Sequence, residues 1–238
     1  MPRYAIYFVP PAETEFFRFG SAVLGYDCYT GGGIKRPALL DAEPEFWDRL
    51  TAEPRRYGFH ATLKAPFDLA PSCREAQLVS ALHSFAGLGH AIAALTPAVQ
   101  MLSGFAAIVP AAASPAIDEL ATKCTTIFDA FRAPMAAQER ARRVASGLNQ
   151  NQIANLDRWG YPYLFADFRF HMTLTSQVGV DRRDHVLATL QKALGRACKD
   201  PRAGDRADFA GPSERCEYAV PRDRTGNAAI RALNERMH

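Results

Sequence analysis

Hydrophobic and polar positions along this chain follow two rhythms, one of period two and one near 3.6, and their order occurs twice. Tyr4 to Val9 is a β-rich run closed by Pro10 and Pro11, and helical residues follow through about Leu24. A Gly-rich loop at 30–33 and a Pro-punctuated segment then lead to a strand around His60. Ser72 as N-cap with Glu75 at N3 matches a capping box; Leu78, Leu82 and Phe85 then recur at helical spacing and predict a helix to about Leu88. An apolar segment at 91–101 reads as a strand, and Ser103-Gly104 as a turn into another at 105–109.

The second half repeats this plan. Ser114-Pro115 is a helix start, and Ile117, Leu120, Cys124, Ile127 and Phe131 form the clearest amphipathic stripe. An inserted helical segment spans about 135–158, and a second strand follows around His171. Asp181 caps a helix carrying Val186, Leu190 and Leu194. Each half therefore reads strand, helix, connection, strand, helix, strand.

The two inner strands share the word Phe-His-x-Thr-Leu, at 59–63 and again at 170–174. Alternation puts His60, Thr62 and Lys64 on one face and Phe59, Ala61, Leu63 and Ala65 on the other. On the second strand His171, Thr173 and Thr175 oppose Phe170, Met172 and Leu174. A polar front on an apolar back suits a strand that borders a ligand cleft. A single such strand is ordinarily structural, its histidine satisfying a carbonyl and its threonine serving β propensity. Two of them in a repeated layout reverse that reading.

Facing each other, the fronts would supply two imidazoles, two hydroxyls and an ammonium. Such a set suits displacement at phosphorus: a neutral histidine takes a proton from the nucleophile and a protonated one gives a proton to the leaving oxygen. The threonine hydroxyls would bind non-bridging oxygens, and Lys64 would add electrostatic stabilisation. No H-E-x-x-H or acidic cluster lies near either motif, so no metal or other cofactor is expected. His83, His90, His185 and His238 are expected at the surface.

Composition changes this picture little. The 238 residues suit one large domain or two lobes sharing a core, and 48% hydrophobic with 22% charged residues is a globular balance. A net charge of +3 without a Lys/Arg run argues against a nucleic-acid arm. Five scattered cysteines with no C-x-x-C argue against a disulfide framework or zinc knuckle. Gly31–Gly33 lack the context of a phosphate-binding loop and read as a flexible loop. The amino terminus is too short in apolar residues for a signal peptide and no stretch approaches a membrane span, so a cytoplasmic protein with reduced thiols is expected.

The words RYAIYFVPP (3–11), YGFHATLKAPF (57–67), FRAP (131–134), WGYPY (159–163) and FHMTLT (170–175) resemble the 2H phosphoesterase superfamily, in particular its branch found with phosphonate-metabolism operons. The resemblance covers roughly 3–195. It implies an α+β, bilobal, pseudo-two-fold fold in a single domain, with antiparallel sheets around a central cleft and helices outside. Lobe one would span about 1–101 with the His60 motif, and lobe two about 104–238 with the His171 motif. By the resemblance His60 and His171 are the acid/base pair and Thr62 and Thr173 the phosphate binders of a metal-independent phosphodiesterase. Its substrate would be a cyclic phosphate of a ribose or nucleotide, such as 5-phosphoribosyl 1,2-cyclic phosphate.

Tyr57, Tyr161 and Tyr163 are expected first as packing residues and second as platforms for a base or ribose, and Trp159 as packing for the inserted helix. Lys64 and Thr175 are the remaining candidate substrate contacts. The stretch 196–238 departs from the resemblance: it is rich in Arg and Asp, and only CEYAV at 216–220 reads as β. Three other readings stand beside the hydrolase: a non-catalytic binder of nucleotides or RNA ends, a ligase-like RNA 2′,5′ activity, and a metal hydrolase ligated by the two histidines.

Overall fold

A computed structural model describes residues 3–88, 95–197, 216–220 and 229–231. Along the chain these form β1 (Arg3–Phe8), α1 (Glu15–Leu24), α2 (Pro44–Arg55), β2 (Ala61–Asp68), α3 (Glu75–Ala86), β3 (Pro97–Leu102), β4 (Phe105–Pro110) and α4 (Pro115–Ile127). There follow α5 (Ala137–Val144), α6 (Gln150–Trp159), β5 (Met172–Gln177), α7 (Arg183–Ala197), β6 (Cys216–Val220) and β7 (Ala229–Arg231). The fold class is α+β, as expected. Seven strands make one sheet in the order β3-β4-β5-β2-β1-β6-β7, and every pairing is antiparallel.

Local chemistry explains most element ends. Thr14 Oγ1 accepts from Phe17 N to start α1, and Gly25 ends it at φ 68°, where a side chain would be strained. Asn149 and Gln152 exchange side chain-to-backbone bonds at the start of α6, a complete capping box. The box expected at Ser72 does not form. Helix α3 begins at Glu75, and its reciprocal bond runs from Arg74 N–H to Gln77 Oε1, three residues further on. The hairpin between β3 and β4 turns on Ser103 (φ 47°) and Gly104 (φ 96°), the two positive dihedrals that a two-residue turn needs to match strand twist.

Helix α2 is an element the sequence reading missed. Pro44 stands at its first turn and Pro54 near its end, so both prolines looked like loop punctuation. Trp47, Thr51 and Pro54, spaced four and three apart, form its buried face. In α4 the stripe holds through Ile117, Leu120 and Cys124 and then slips: Ile127 is exposed and Phe128 fully buried. The chain tightens there into a 3-10 turn over Phe128–Phe131, which advances each side chain further around the axis.

The core lies against the apolar back of the inner strands. Phe59, Ala61 and Leu63 are buried, as are Phe170, Met172 and Leu174. Phe59 meets the edge of Phe16 from α1, and a Cβ on Gly20 would lie 2.3 Å from its ring. Val186, Leu190 and Leu194 of α7 are buried as the sequence predicted. Strand β6 forms over CEYAV and pairs with β1, while β3 pairs with β4. The apolar residues 91–94, His90, Cys198 and His238 lie outside the described residues. Among the described residues no helix is long and apolar enough to cross a membrane.

Candidate active site

Strands β2 and β5 are neighbours in the sheet yet pair at one point, Ala61 opposite Met172. Those are the middle residues of the two His-x-Thr words. Because Ala61 and Met172 point into the core, their neighbours His60, Thr62, His171 and Thr173 project from the other face, on both sides of one seam. A cleft of about 650 Å³ opens there, lined among others by Tyr7, Tyr57, His60, Thr62, Phe105 and Thr173. His171 stands at its margin, its ring 5.7 Å from that of Phe105.

Both imidazoles are held alike. His60 Nδ1 lies 3.0 Å from the carbonyl of Gly58, and His171 Nδ1 lies 2.7 Å from the carbonyl of Arg169, in each case two residues back. A carbonyl only accepts, so each Nδ1 carries hydrogen and donates, and each Nε2 is left for chemistry. In the neutral ring Nε2 is a base; in the cation it is an acid. Gly58 adopts φ 73°, which aims its carbonyl back at the ring at the cost of a conformation favouring glycine.

Burial lowers the His60 pKa from 6.5 to about 4, opposed in part by the Gly58 carbonyl and aided by the charge of His171. Tyr7 lies over the His60 ring with centroids 3.9 Å apart, and burial, then Tyr57, push its hydroxyl up to about 12. Tyr7 and Arg3 both line the cleft, and the sequence reading missed both. The period of β1 marked Tyr7 as one of two tyrosines in a strand; only its position opposite Thr62 in the ladder points it at the histidine.

Lys64 is not at the cleft. Between Tyr7↔Thr62 and Ile6↔Lys64 the ladder carries an extra residue on β2, and this bulge breaks the alternation that would put Lys64 beside Thr62. Its ammonium turns to the helix side, donating to Thr125 O at 3.0 Å and lying 3.5 Å from Asp129 Oδ1. Burial lowers the Lys64 pKa to about 8 against the pull of Asp129. Thr175 borders the cleft but is fully buried, and its Oγ1 accepts from Ala106 N at 2.9 Å. Ala106 is the residue skipped by the β4–β5 register, so Thr175 satisfies a backbone donor that the ladder leaves over.

Of the three tyrosines, Tyr57 lines the cleft. Tyr161 and Tyr163 pack against each other at 5.6 Å, with Arg143 over Tyr161, in the loop that follows α6 and outside the cleft lining. Trp159 packs on Phe165 in the same insert. His83 is exposed, and exposed His185 meets Glu43 at 2.8 Å. Cys28, Cys73 and Cys124 are not joined in disulfides, and no group of residues suited to hold a metal occurs among the described residues.

Residues 62–209 match the model of a family described as a protein of unknown function, DUF1045. The chain belongs to the DUF1045 family. The matched region includes His171, Thr62 and Thr173 and begins two residues after His60. Two relatives that the chain resembles are longer proteins. One, ribose 1,5-bisphosphate phosphokinase PhnN of Janthinobacterium sp. (strain Marseille), is 38% identical over 193 residues, covering 81% of this chain and 42% of the relative. Another of the same name, from Laribacter hongkongensis (strain HLHK9), is 39% identical over 181 residues, 74% of this chain and 40% of the relative. The chain thus spans about two-fifths of the length of these relatives. No solved structure matches it.

Proposed function

We propose that this DUF1045 protein is a metal-independent phosphodiesterase that opens a cyclic phosphate on a phosphorylated ribose, in phosphonate breakdown, by paired-histidine acid–base catalysis. The carrying observation is the single pairing Ala61↔Met172, which seats two His-x-Thr words back to back across one cleft. An antiparallel contact between equivalent residues is what a two-fold axis normal to the sheet would produce. Strand order supports the same symmetry: outward from the seam run β2, β1, β6 on one side and β5, β4, β3 on the other. Those are second, first and third strands of alternate halves. This is the arrangement expected of a duplicated 2H phosphoesterase fold.

In this reading Thr62 and Thr173 hold the non-bridging oxygens, and Nε2 of the two histidines passes protons to and from the bridging ones. The name of the relatives, with its ribose 1,5-bisphosphate, supports a phosphorylated ribose as ligand. Their phosphokinase activity belongs to proteins nearly twice as long. This chain holds no G-x-x-x-x-G-K-[ST], and Lys64, the lysine nearest the paired motif in sequence, turns away from the cleft. Kinase chemistry is therefore assigned to the part of the relatives that this chain does not match.

A screen of ribose 1,2-cyclic, nucleoside 2′,3′-cyclic and ADP-ribose 1″,2″-cyclic phosphates tests the reading. Turnover that survives EDTA, and falls by about 10²–10⁴ in His60→Ala and in His171→Ala, is expected. Near-normal turnover in either variant, or activity only with ATP and a ribose bisphosphate, refutes it.

A further inference from the structure

The symmetric frame carries an asymmetric filling. Tyr7 stands opposite Thr62 in the β1–β2 ladder, and Ala107 stands opposite Thr173 in the β4–β5 ladder. The same register position therefore holds an aromatic ring beside His60 and a methyl group on the side of His171. Tyr7 covers His60 at 3.9 Å with ring planes 32° apart, and Tyr57 closes a second side at 6.4 Å. Phe105 approaches His171 at 5.7 Å and a 51° tilt, which leaves that ring at the margin of the cleft.

We propose that the two histidines have different duties: His60, under the ring of Tyr7, is the general base for the attacking water, and His171, without such a cover, is the general acid for the leaving oxygen. This rests on the paired-histidine reading above and gives that chemistry a direction. Tyr7 is the positioning residue. Its ring keeps water from one face of the imidazole and so withholds the solvation that a resting imidazolium needs. The half-buried His60 enters the reaction neutral, its pKa lowered to about 4. A neutral ring with Nδ1 donating can take a proton at Nε2 but has none there to give. Once the proton arrives, the face of Tyr7 offers the cation–π attraction that helps hold it.

The step balances. An oxygen lone pair of water forms the new P–O bond, and its proton passes to His60 Nε2. The opposite P–O ester bond breaks, and the departing oxygen takes the proton from His171 Nε2. Solvent then returns His60 to neutral and His171 to the cation. The water enters beside Tyr7 and Tyr57, and the leaving oxygen departs on the side of Phe105, Ser176 and Gln177. The ionisable groups that bear on His60 are Tyr7 from β1, Tyr57 ahead of β2 and His171 across the seam, with Arg3 and Glu53 in the same cleft lining.

Leaving-group dependence tests the assignment. A nucleoside 2′,3′-cyclic phosphate expels an alkoxide that needs a proton, whereas bis(p-nitrophenyl) phosphate expels a phenolate that does not. His171→Ala is expected to lose about 10²–10⁴ on the first and less than about tenfold on the second, while His60→Ala loses about 10²–10⁴ on both. The reverse pattern, or equal losses by both variants on both substrates, overturns the division of duties and leaves the paired-histidine reading standing. Full activity of both variants removes that reading as well. Imidazole nitrogen NMR provides a check that needs no substrate. His60 should stay neutral, with its hydrogen on Nδ1, down to about pH 4 in wild type and Tyr7→Phe, and protonate at higher pH in Tyr7→Ala. No response of His60 to Tyr7→Ala overturns the proposal.

Discussion

Replacing Lys64 by methionine should leave catalysis intact and barely change stability, whereas replacing its partner Asp129 by alanine should unfold much of the protein's margin. Lys64 and Asp129 have side chains only 5% and 13% exposed, so both charges have left water. They are not equally dependent on one another. Asp129 also binds Arg132 at 2.7 Å and Arg158 at 3.5 Å, and keeps both cations if Lys64 goes. Removing the ammonium forfeits a charged hydrogen bond to Thr125 O, about 1.5–3 kcal/mol. It also relieves the burial that lowers the lysine from 10.5 to about 8, roughly 3 kcal/mol at about 1.4 per unit. The two nearly cancel, leaving Lys64→Met within about 1 kcal/mol of wild type. Asp129→Ala strands a buried ammonium and costs about 3–5 kcal/mol.

The pH dependence has a definite sign. With the folded pKa below the unfolded one, the unfolded chain holds the extra proton between pH 8 and 10.5, so this lysine's penalty is full below about 8 and relieved above it. Urea unfolding followed by circular dichroism at pH 7 and pH 9.5, wild type against variant, reads both quantities. A loss of 3 kcal/mol or more in Lys64→Met refutes the cancellation. A hundredfold fall in turnover with the fold intact would return Lys64 to the cleft.

Three further expectations concern the frame around the histidines. Gly20→Ala drives a methyl group into the Phe59 ring and should cost about 1–3 kcal/mol in thermal or urea unfolding, with lower turnover because Phe59 backs His60. Thr175→Val keeps the shape but orphans the buried Ala106 N–H, for a loss of about 1–3 kcal/mol without a change in substrate affinity; an affinity loss at full stability would mark Thr175 as a substrate contact. His60 is depressed on folding, so its contribution is full above about pH 6.5 and lost as pH falls toward 4. His60→Phe should flatten that part of the stability–pH curve, and an unchanged slope would refute the burial account.

What the sequence determined by itself was local and periodic. The alternation at 59–62 and 170–174 correctly separated core from cleft, because a strand's two faces follow from its own backbone. The 3.6 spacing of Val186, Leu190 and Leu194 fixed the buried face of α7 for the same reason. Even CEYAV was legible as a strand. Lys64 was misplaced because a bulge is a property of two strands, and no pattern within β2 announces where its extra residue will fall. The tertiary structure alone decided that β6 lies beside β1, that β2 meets β5 at one residue pair, and that Tyr7 lies over His60. Register is a relation between segments far apart in the chain, and it turns two similar words into a site with two unlike sides.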